Sequence, residues 1–374
     1  MAKHPSKPTI LIVGPIPPPC GGIATGVLNL LKSDLQKDFR LISIKNSTAR
    51  PSAKKGKIDF LNVTYFLGQF FRFIITIIFV RPQIVQIEAT YGVSFLKNSF
   101  FVILAKILGR KIILSLYGGQ ADSFYNNLPS IGKKYVKYIL FCCDKIRIEF
   151  KQRKDFFVKK IGLVESKILI LPNAVYLNEP PMKDIKPTEE ELNLLFVGWL
   201  LKEKGVFDLL KGIEILKQKS YKFKIKIVGP EGRVGELKRV LDDIQKRNLI
   251  NIVEVTGEKP SYEMESFYSN ADIFILPSYT EGLPYAILEA MSYKLPIIST
   301  NIGALPEVIE EGVNGFLIEP GNVKTLTEKI EILAKNKKLR EKMGKNNYEK
   351  MKNEYSVDHL VKKLTNVYNI LLLK

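Results

Sequence analysis

Residues 271–298 read ADIFILPSYTEGLPYAILEAMSYKLPII. Ala271–Leu276 is a short apolar run closed by Pro277, the pattern of a strand buried on both faces in a parallel sheet. Ser278, Tyr279 and Thr280 make a polar loop. Pro284 stands near the first helical position, where its missing N–H costs nothing. A helix is expected from about Tyr285 to Tyr293, and Leu295–Ser299 begins the next strand. Strand, loop, helix, strand is the repeating unit of a doubly wound α/β domain.

Two carboxylates frame that helix: Glu281 in the loop before it, and Glu289 about two turns in. The N–H groups of Gly282, Leu283 and the first turn point along the helix axis. With the helix dipole they suit an anion such as a phosphate. Glu289 is placed to accept from a pair of vicinal hydroxyls, as an acidic residue does for a ribose. Glu281 is level with whatever lies beyond the phosphates. Either Glu alone reads equally well as a helix cap or a surface residue; the whole unit suits a sugar–diphosphate–nucleoside.

Working outward, 374 residues give room for two domains. A hydrophobic fraction of 46% excludes a disordered chain. There are 57 Lys and Arg against 38 Asp and Glu, a net charge of +19. Nearly all of that excess lies in residues 1–180, whereas residues 181–374 are close to neutral. The charge step predicts a domain boundary near residue 180. A basic half can face nucleic acid, anionic lipid or an anionic substrate; no nucleic-acid-binding motif is present, so nucleic acid is not an expected partner. Cys20, Cys142 and Cys143 form neither a disulfide framework nor a zinc motif, and the adjacent pair reads as small core residues. That cysteine usage fits a reducing cytoplasm. The segment MAKHPSKPTILIVG lacks the apolar region of a signal peptide.

Alternating strand and helix patterns fill both halves. Thr9–Gly14 is the first expected strand, followed by GPIPPPCGG and a helix from about Ile23. Gly21 and Gly22 would let backbone approach a phosphate at that helix start, although a Gly–Gly turn is usually only a turn. Lys45–Lys57 is a basic loop. Phe60–Val80 is long enough to span a bilayer, but Asn62, Gln69 and Arg72 interrupt it. A buried or membrane-surface helix is the better reading, and aromatic residues beside a basic loop suit an anionic leaflet. Further helices are expected at Lys151–Lys160, Gly303–Glu311 and Lys338–Glu354. Leu177–Glu191, with three prolines and several acids, reads as a linker. Val357–Leu372 carries an apolar stripe, Leu360, Leu364, Val367 and Leu371.

The unit Glu281-GLPYAIL-Glu289, directly after A-D-I-F-I-L-P-S, resembles the E-x7-E signature of the family 4 retaining glycosyltransferases, the group 1 class of bacterial polysaccharide and lipopolysaccharide assembly. The resemblance covers nearly the whole chain and is strongest from Leu194 to Pro320. It implies the GT-B fold: two Rossmann-like α/β domains facing across a cleft. They are an acceptor-binding domain at 1–180 and a nucleotide-sugar donor domain at 192–354. A C-terminal helix, 355–374, packs back on the first domain.

Further correspondences follow from the resemblance. WLLKEKG at 199–205 stands where the family has G-R-L-x-x-x-K-G: Lys204 matches the lysine that contacts the donor phosphates, and Trp199 replaces the arginine. Gly21 and Gly22 match the glycine loop. Backbone near Glu258 and Lys259 would border the nucleobase, and Gly282, Leu283 and Pro284 the diphosphate. Tyr117-Gly118 replaces a His-Gly whose histidine reaches the transferred sugar, and Asn173 belongs to a P-N-A element on the same acceptor side. Glu281 and Lys204 are then the expected catalytic residues and Glu289 the ribose ligand, with no metal and no cofactor. The implied partners are a nucleotide-diphospho-sugar, a glycan or polyprenyl-linked acceptor and an anionic membrane surface. The implied location is the cytoplasm, peripheral at the inner face of the cell membrane. Two other readings stand beside this one: a catalytically silent nucleotide-sugar-binding subunit, for which Trp199 and Tyr117 speak, and a GT-B-fold nucleotide-sugar epimerase.

Overall fold

The computed structural model describes residues 7–17, 21–47, 60–177, 191–219 and 221–373. Cys20, most of the basic 45–57 loop and nearly all of the 177–191 linker lie outside them. The chain forms two compact units. One comprises residues up to Tyr176 together with Val357 onward, and the other runs from Leu177 to Ser356.

The first unit is built on six parallel strands: β1 (Thr9–Gly14), β2 (Arg40–Lys45), β3 (Ile84–Thr90), β4 (Lys111–Tyr117), β5 (Lys145–Ile148) and β6 (Ile168–Ile170). Their order is β2-β1-β3-β4-β5-β6. β1 and β3 are buried along almost their whole length because helices cover both faces. Helices α2 (Phe60–Phe79), α3 (Val93–Ile107) and α4 (Ser130–Cys142) pack on one face around Phe73, Phe101, Val136 and Ile139. On the other face lie α1 (Gly22–Lys32) and the C-terminal helix, whose Leu360, Leu364, Val367 and Leu371 meet Ile10, Leu30 and Phe39. Cys142 and Cys143 are buried free thiols in the first of these cores.

The second unit carries β7 (Leu192–Val197), β8 (Phe223–Val228), β9 (Val253–Gly257), β10 (Ile273–Leu276), β11 (Ile297–Thr300) and β12 (Gly315–Ile318). All are parallel, in the order β12-β11-β10-β7-β8-β9. Read from β7, the chain winds outward to β9 and then restarts at β10 on the other side. The β7/β10 boundary is therefore the topological switch point, where α/β sheets bind ligands at their carboxyl ends. The longer helices here are α5 (Val206–Gln218), α6 (Glu236–Lys246), α7 (Ser261–Asn270), α8 (Tyr285–Ser292), α9 (Val323–Lys335) and α10 (Lys337–Lys350), and the C-terminal helix Val357–Leu372 is α11.

Several local expectations change. The 303–311 helix shrinks to Leu305–Val308. Asn314 explains why: its Oδ1 accepts from the Glu310 amide at 2.7 Å and its Nδ2 donates to the Val308 carbonyl at 3.0 Å, so the side chain takes groups the helix would have used. The 151–160 segment is one α-turn, Arg153–Asp155, running into a π-helical turn, Phe156–Ile161. The 338–354 helix likewise becomes π-helical at Met351–Tyr355. Helix α7 has no counterpart in the sequence reading. Pro284 caps α8 from outside, which leaves Glu289 just over one turn from its start.

Candidate active site

The loops that leave β7 and β10 meet at the switch point of the second sheet. Lys204 ends a short 3-10 turn after β7, and Gly205 follows at φ 74°. A Cβ there would lie 2.0 Å from the Pro277 carbonyl oxygen, so only glycine lets the Lys204 loop lie directly on the end of β10. The Tyr279 amide donates to the Glu203 carbonyl at 2.8 Å and ties the two loops together. The Tyr279 hydroxyl donates to Asp208 on α5 at 2.7 Å, and this bond leads the effects that push its pKa up to about 12.

Within this frame the Glu281 carboxylate is 8% exposed. Its Oε1 accepts from Lys204 Nζ at 2.6 Å and from Ser278 Oγ at 2.8 Å. A buried carboxylate needs such partners to stay charged. Lys204 has three donors, so one contact with Glu281 leaves others for a ligand oxygen. Gly303, at φ 57°, backs the loop from behind, and a Cβ there would lie 2.3 Å from the Glu281 carbonyl oxygen. The Ala304 amide donates to the Gly282 carbonyl and Thr300 Oγ1 to the Ser278 carbonyl, which fixes the path between the two loop ends. Leu283 is buried beneath the start of α8.

Glu289 stands apart from that ion pair. Its Oε2 accepts from the Tyr268 hydroxyl at 2.6 Å. Tyr268 belongs to α7 and is almost fully buried, stacked on Tyr293 at 5.4 Å between ring centroids. Burial holds the Glu289 carboxyl above the usual carboxylate range, with the tyrosine hydrogen bond pulling the other way. Burial, and then the neighbouring carboxylate, raise the Tyr268 hydroxyl well above the ordinary tyrosine value.

The other expected donor-side residues take simpler places at the same carboxyl edge. Trp199 follows β7 and is half-buried; Glu258 is exposed after β9, and Lys259 pairs with Glu263 at 3.5 Å. Arg233, which the sequence reading passed over, brings a guanidinium to this edge by pairing with Glu203 at 2.6 Å. A cavity of about 540 Å³ lies at the opposite, amino end of the sheet, where Lys226 pairs with Glu254 and Lys224 with Glu191, so its charges answer one another.

In the first unit, Gly22 opens α1 and a Cβ on Gly21 would meet open space. Tyr117 departs from expectation. It is 4% exposed and its hydroxyl donates to Glu88 while accepting from Arg147 Nη1 at 2.8 Å, so that hydroxyl is engaged within the unit. The same applies to Asn173, 2% exposed, which donates to Glu149 Oε1 at 2.9 Å. Gly118 gives its amide to the other oxygen of Glu149. The chain of bonds extends from Tyr368 on α11 through Gln86 to Glu88. Charges at Glu88 and Arg147 inside apolar strand runs were the sequence signal for this network. For Tyr268, the signal was an aromatic residue three positions ahead of Ala271, on a segment not read as a helix.

Residues 179–350 match the sequence model of the family described as glycosyl transferases group 1. An uncharacterized glycosyltransferase of Methanocaldococcus jannaschii, MJ1178, is 30% identical, over 68% of this chain and 67% of its own. The capsular polysaccharide biosynthesis glycosyltransferase CapM of Staphylococcus aureus is 27% identical, over 63% of this chain and 64% of its own. The aligned region thus spans about two thirds of the length of both relatives. Anabaena HepE, solved in complex with UDP, superposes with a TM-score of 0.73 over 96% of this chain and 99% of its own, at 14% identity. That likeness is one of fold, and the two six-stranded parallel α/β units have the GT-B architecture. Fold, family model and relatives agree: the chain belongs to the group 1 glycosyltransferases.

Proposed function

We propose that this enzyme is a family 4, retaining glycosyltransferase that moves a hexose-type sugar from a nucleotide-diphospho-sugar to a glycan or polyprenyl-linked acceptor. The observation that carries the reading is the placement of two differently supported carboxylates around α8: Glu281 against Lys204, and Glu289 against Tyr268. The diphosphate lies at the start of α8, where the Gly282 and Leu283 amides and the helix dipole favour negative charge. Glu289 accepts from the ribose hydroxyls. The second oxygen of Glu281 accepts from hydroxyls of the transferred sugar.

As the glycosidic bond breaks, negative charge grows on the leaving diphosphate. Lys204, held in place by Glu281, meets that charge without reorganising, the kind of contact worth about 3–4 kcal/mol in a transition state. Attack by the acceptor hydroxyl from the same face retains the anomeric configuration, with no metal required. UDP is the first donor base to test, because it is the nucleotide bound in the structural neighbour HepE. Cell-surface polysaccharide assembly is the setting in keeping with CapM, a capsular polysaccharide biosynthesis glycosyltransferase, and the inner face of the membrane is the location that goes with a polyprenyl-linked acceptor.

Thermal melting with millimolar UDP, GDP and ADP, followed by transfer assays with the matching sugars, tests the reading. A melting shift with one base, abolished in Glu289→Ala, and transfer reduced about 100-fold or more in Lys204→Met support it. Product of inverted configuration, or transfer abolished by EDTA, would remove the retaining or the metal-independent part. Nucleotide binding without transfer to any acceptor would leave the silent-subunit reading, favoured by Trp199 in place of an arginine.

A further inference from the structure

We infer that the face of the first unit formed by α2, α3 and α4 is a docking surface for an anionic bilayer, with α2 lying in the plane of the interface rather than crossing it. The inference rests on three observations outside the donor site.

The first is that α2 has two apolar stripes. Phe66, Phe70, Phe73 and Ile77 recur every three to four residues and face inward; Phe73 and Ile77 are fully buried, and the Phe73 ring lies 4.9 Å from that of Phe101 on α3. Leu67, Phe71, Ile75 and Ile78 recur with the same spacing one residue further round. These are 57%, 64%, 43% and 46% exposed. A helix that covers a sheet in water needs only the first stripe. The opposite side of α2 carries Asn62, Gln69, Arg72 and Thr76.

The second observation is that the exposed apolar surface continues beyond α2. Val93, Leu96, Phe100 and Ile107 form an exposed stripe on α3, and the Phe100 ring lies 5.7 Å from Phe66. Tyr138 and Phe141 are exposed on α4. Together these carry exposed apolar surface across all three helices, the kind of surface that marks a protein or membrane contact.

Charge is the third observation, and it selects the occupant. The three helices contain no Asp or Glu, and their exposed or half-exposed cations are Arg72, Lys106, Lys133, Lys134 and Lys137, whereas Lys97 turns inward to the Asn46 carbonyl. Apolar and aromatic side chains rimmed by cations match the acyl boundary and headgroups of an anionic leaflet. A membrane crossing by α2 would pull Phe73 and Ile77 out of the core they close, so the helix stays docked on the unit and immerses only its outer stripe.

The test is sedimentation of the full-length protein with vesicles of phosphatidylcholine, alone or mixed with phosphatidylglycerol. We expect binding to the mixed vesicles only. The triple variant Leu67→Ser, Phe71→Ser, Ile78→Ser should lose at least about tenfold in partitioning, and Lys133→Glu, Lys134→Glu, Lys137→Glu should lose the preference for anionic lipid. Added tryptophan reports depth: bromine on the acyl chains should quench Phe71→Trp more than Thr76→Trp. These positions are exposed or partly so, and unchanged melting temperatures will show that the variants fold. Vesicle binding needs neither donor nor acceptor, so the nucleotide-induced melting shift of the same variants reports on the transferase reading separately. Failure to bind any vesicle, or equal binding by the stripe variant, overturns the proposal. Retention in the membrane pellet after an alkaline carbonate wash overturns the in-plane placement. A lipid-free dimer abolished by the stripe substitutions assigns the surface to a second copy of this chain instead.

Discussion

Glu281, in the loop before α8, and Glu289, on that helix, share a residue type but not their surroundings. Glu281 is neutralised by a lysine, whereas Glu289 has a tyrosine hydroxyl and a buried setting. A carboxyl whose folded pKa is raised stabilises the fold most at low pH, and that contribution is lost as pH rises through the folded value. At neutral pH the Glu289 charge is therefore held at a cost to stability. Glu289→Gln keeps an acceptor for Tyr268 and removes the charge. It should melt higher than wild type at pH 7 without nucleotide, lose that advantage below about pH 4, and show no melting shift with UDP. Scanning calorimetry over a pH series checks all three; a less stable Gln variant at pH 7 would contradict the assignment of cause. Tyr268→Phe removes the one effect that opposes burial. The acid limb of nucleotide affinity, followed by titration calorimetry, should then move to higher pH, a displacement that simple loosening of the site would not produce.

At the scale of elements, the site depends on two loops touching at the end of a sheet. Lys204 reaches Glu281 because Gly205 lets the β7 loop lie against Pro277. Gly205→Ala combines a backbone conformation unfavourable to L-residues with a clash against main chain. It should cost about 3 kcal/mol or more of stability, seen in urea unfolding. Displacing Lys204 by an ångström should also lower transfer about 100-fold, whereas nucleotide affinity, which leans on Glu289, should change far less. Equal losses in both would mean that the loop acts on binding alone. The α7–α8 pair is the second such element: α7 reaches Glu289 through the Tyr268 hydroxyl, and that contact joins residues far enough apart that no local spacing announces it.

At the scale of the molecule, both units bury charge. The second holds Glu281 with Lys204 at the sheet edge and buries Arg340 and Asp272 elsewhere. The first buries Glu88 and Arg147, both nearly inaccessible, in a bonded chain that reaches α11 from the far end of the sequence. Replacing Arg147 with Met leaves Glu88 without its cation, a loss of about 3–5 kcal/mol for a buried pair. Hydrogen exchange should show lost protection along β3 to β6, with β7 to β12 unchanged. Nucleotide affinity should stay within about twofold, since Glu281, Glu289 and Lys204 all lie in the second unit. A large loss of affinity would mean that the first unit contributes more to donor binding than Gly22.

Much of this protein is written in its local sequence. Buried parallel strands are continuous apolar runs and helices repeat every three to four residues, so the strands, most long helices and the places of Glu281 before α8 and Glu289 on it were legible in the sequence. The charge step placed two halves of different character. Tertiary structure decided what depends on distant partners: Tyr117 and Asn173 turn inward because Glu88, Arg147 and Glu149 await them there, Asn314 cuts a helix short by bonding its backbone, and Tyr268 reaches Glu289 from another helix. It also decided the fate of the 60–79 segment. Its composition fits burial, spanning or an interface equally, and only packing against α3 shows which stripe is spent on the core and which remains outside.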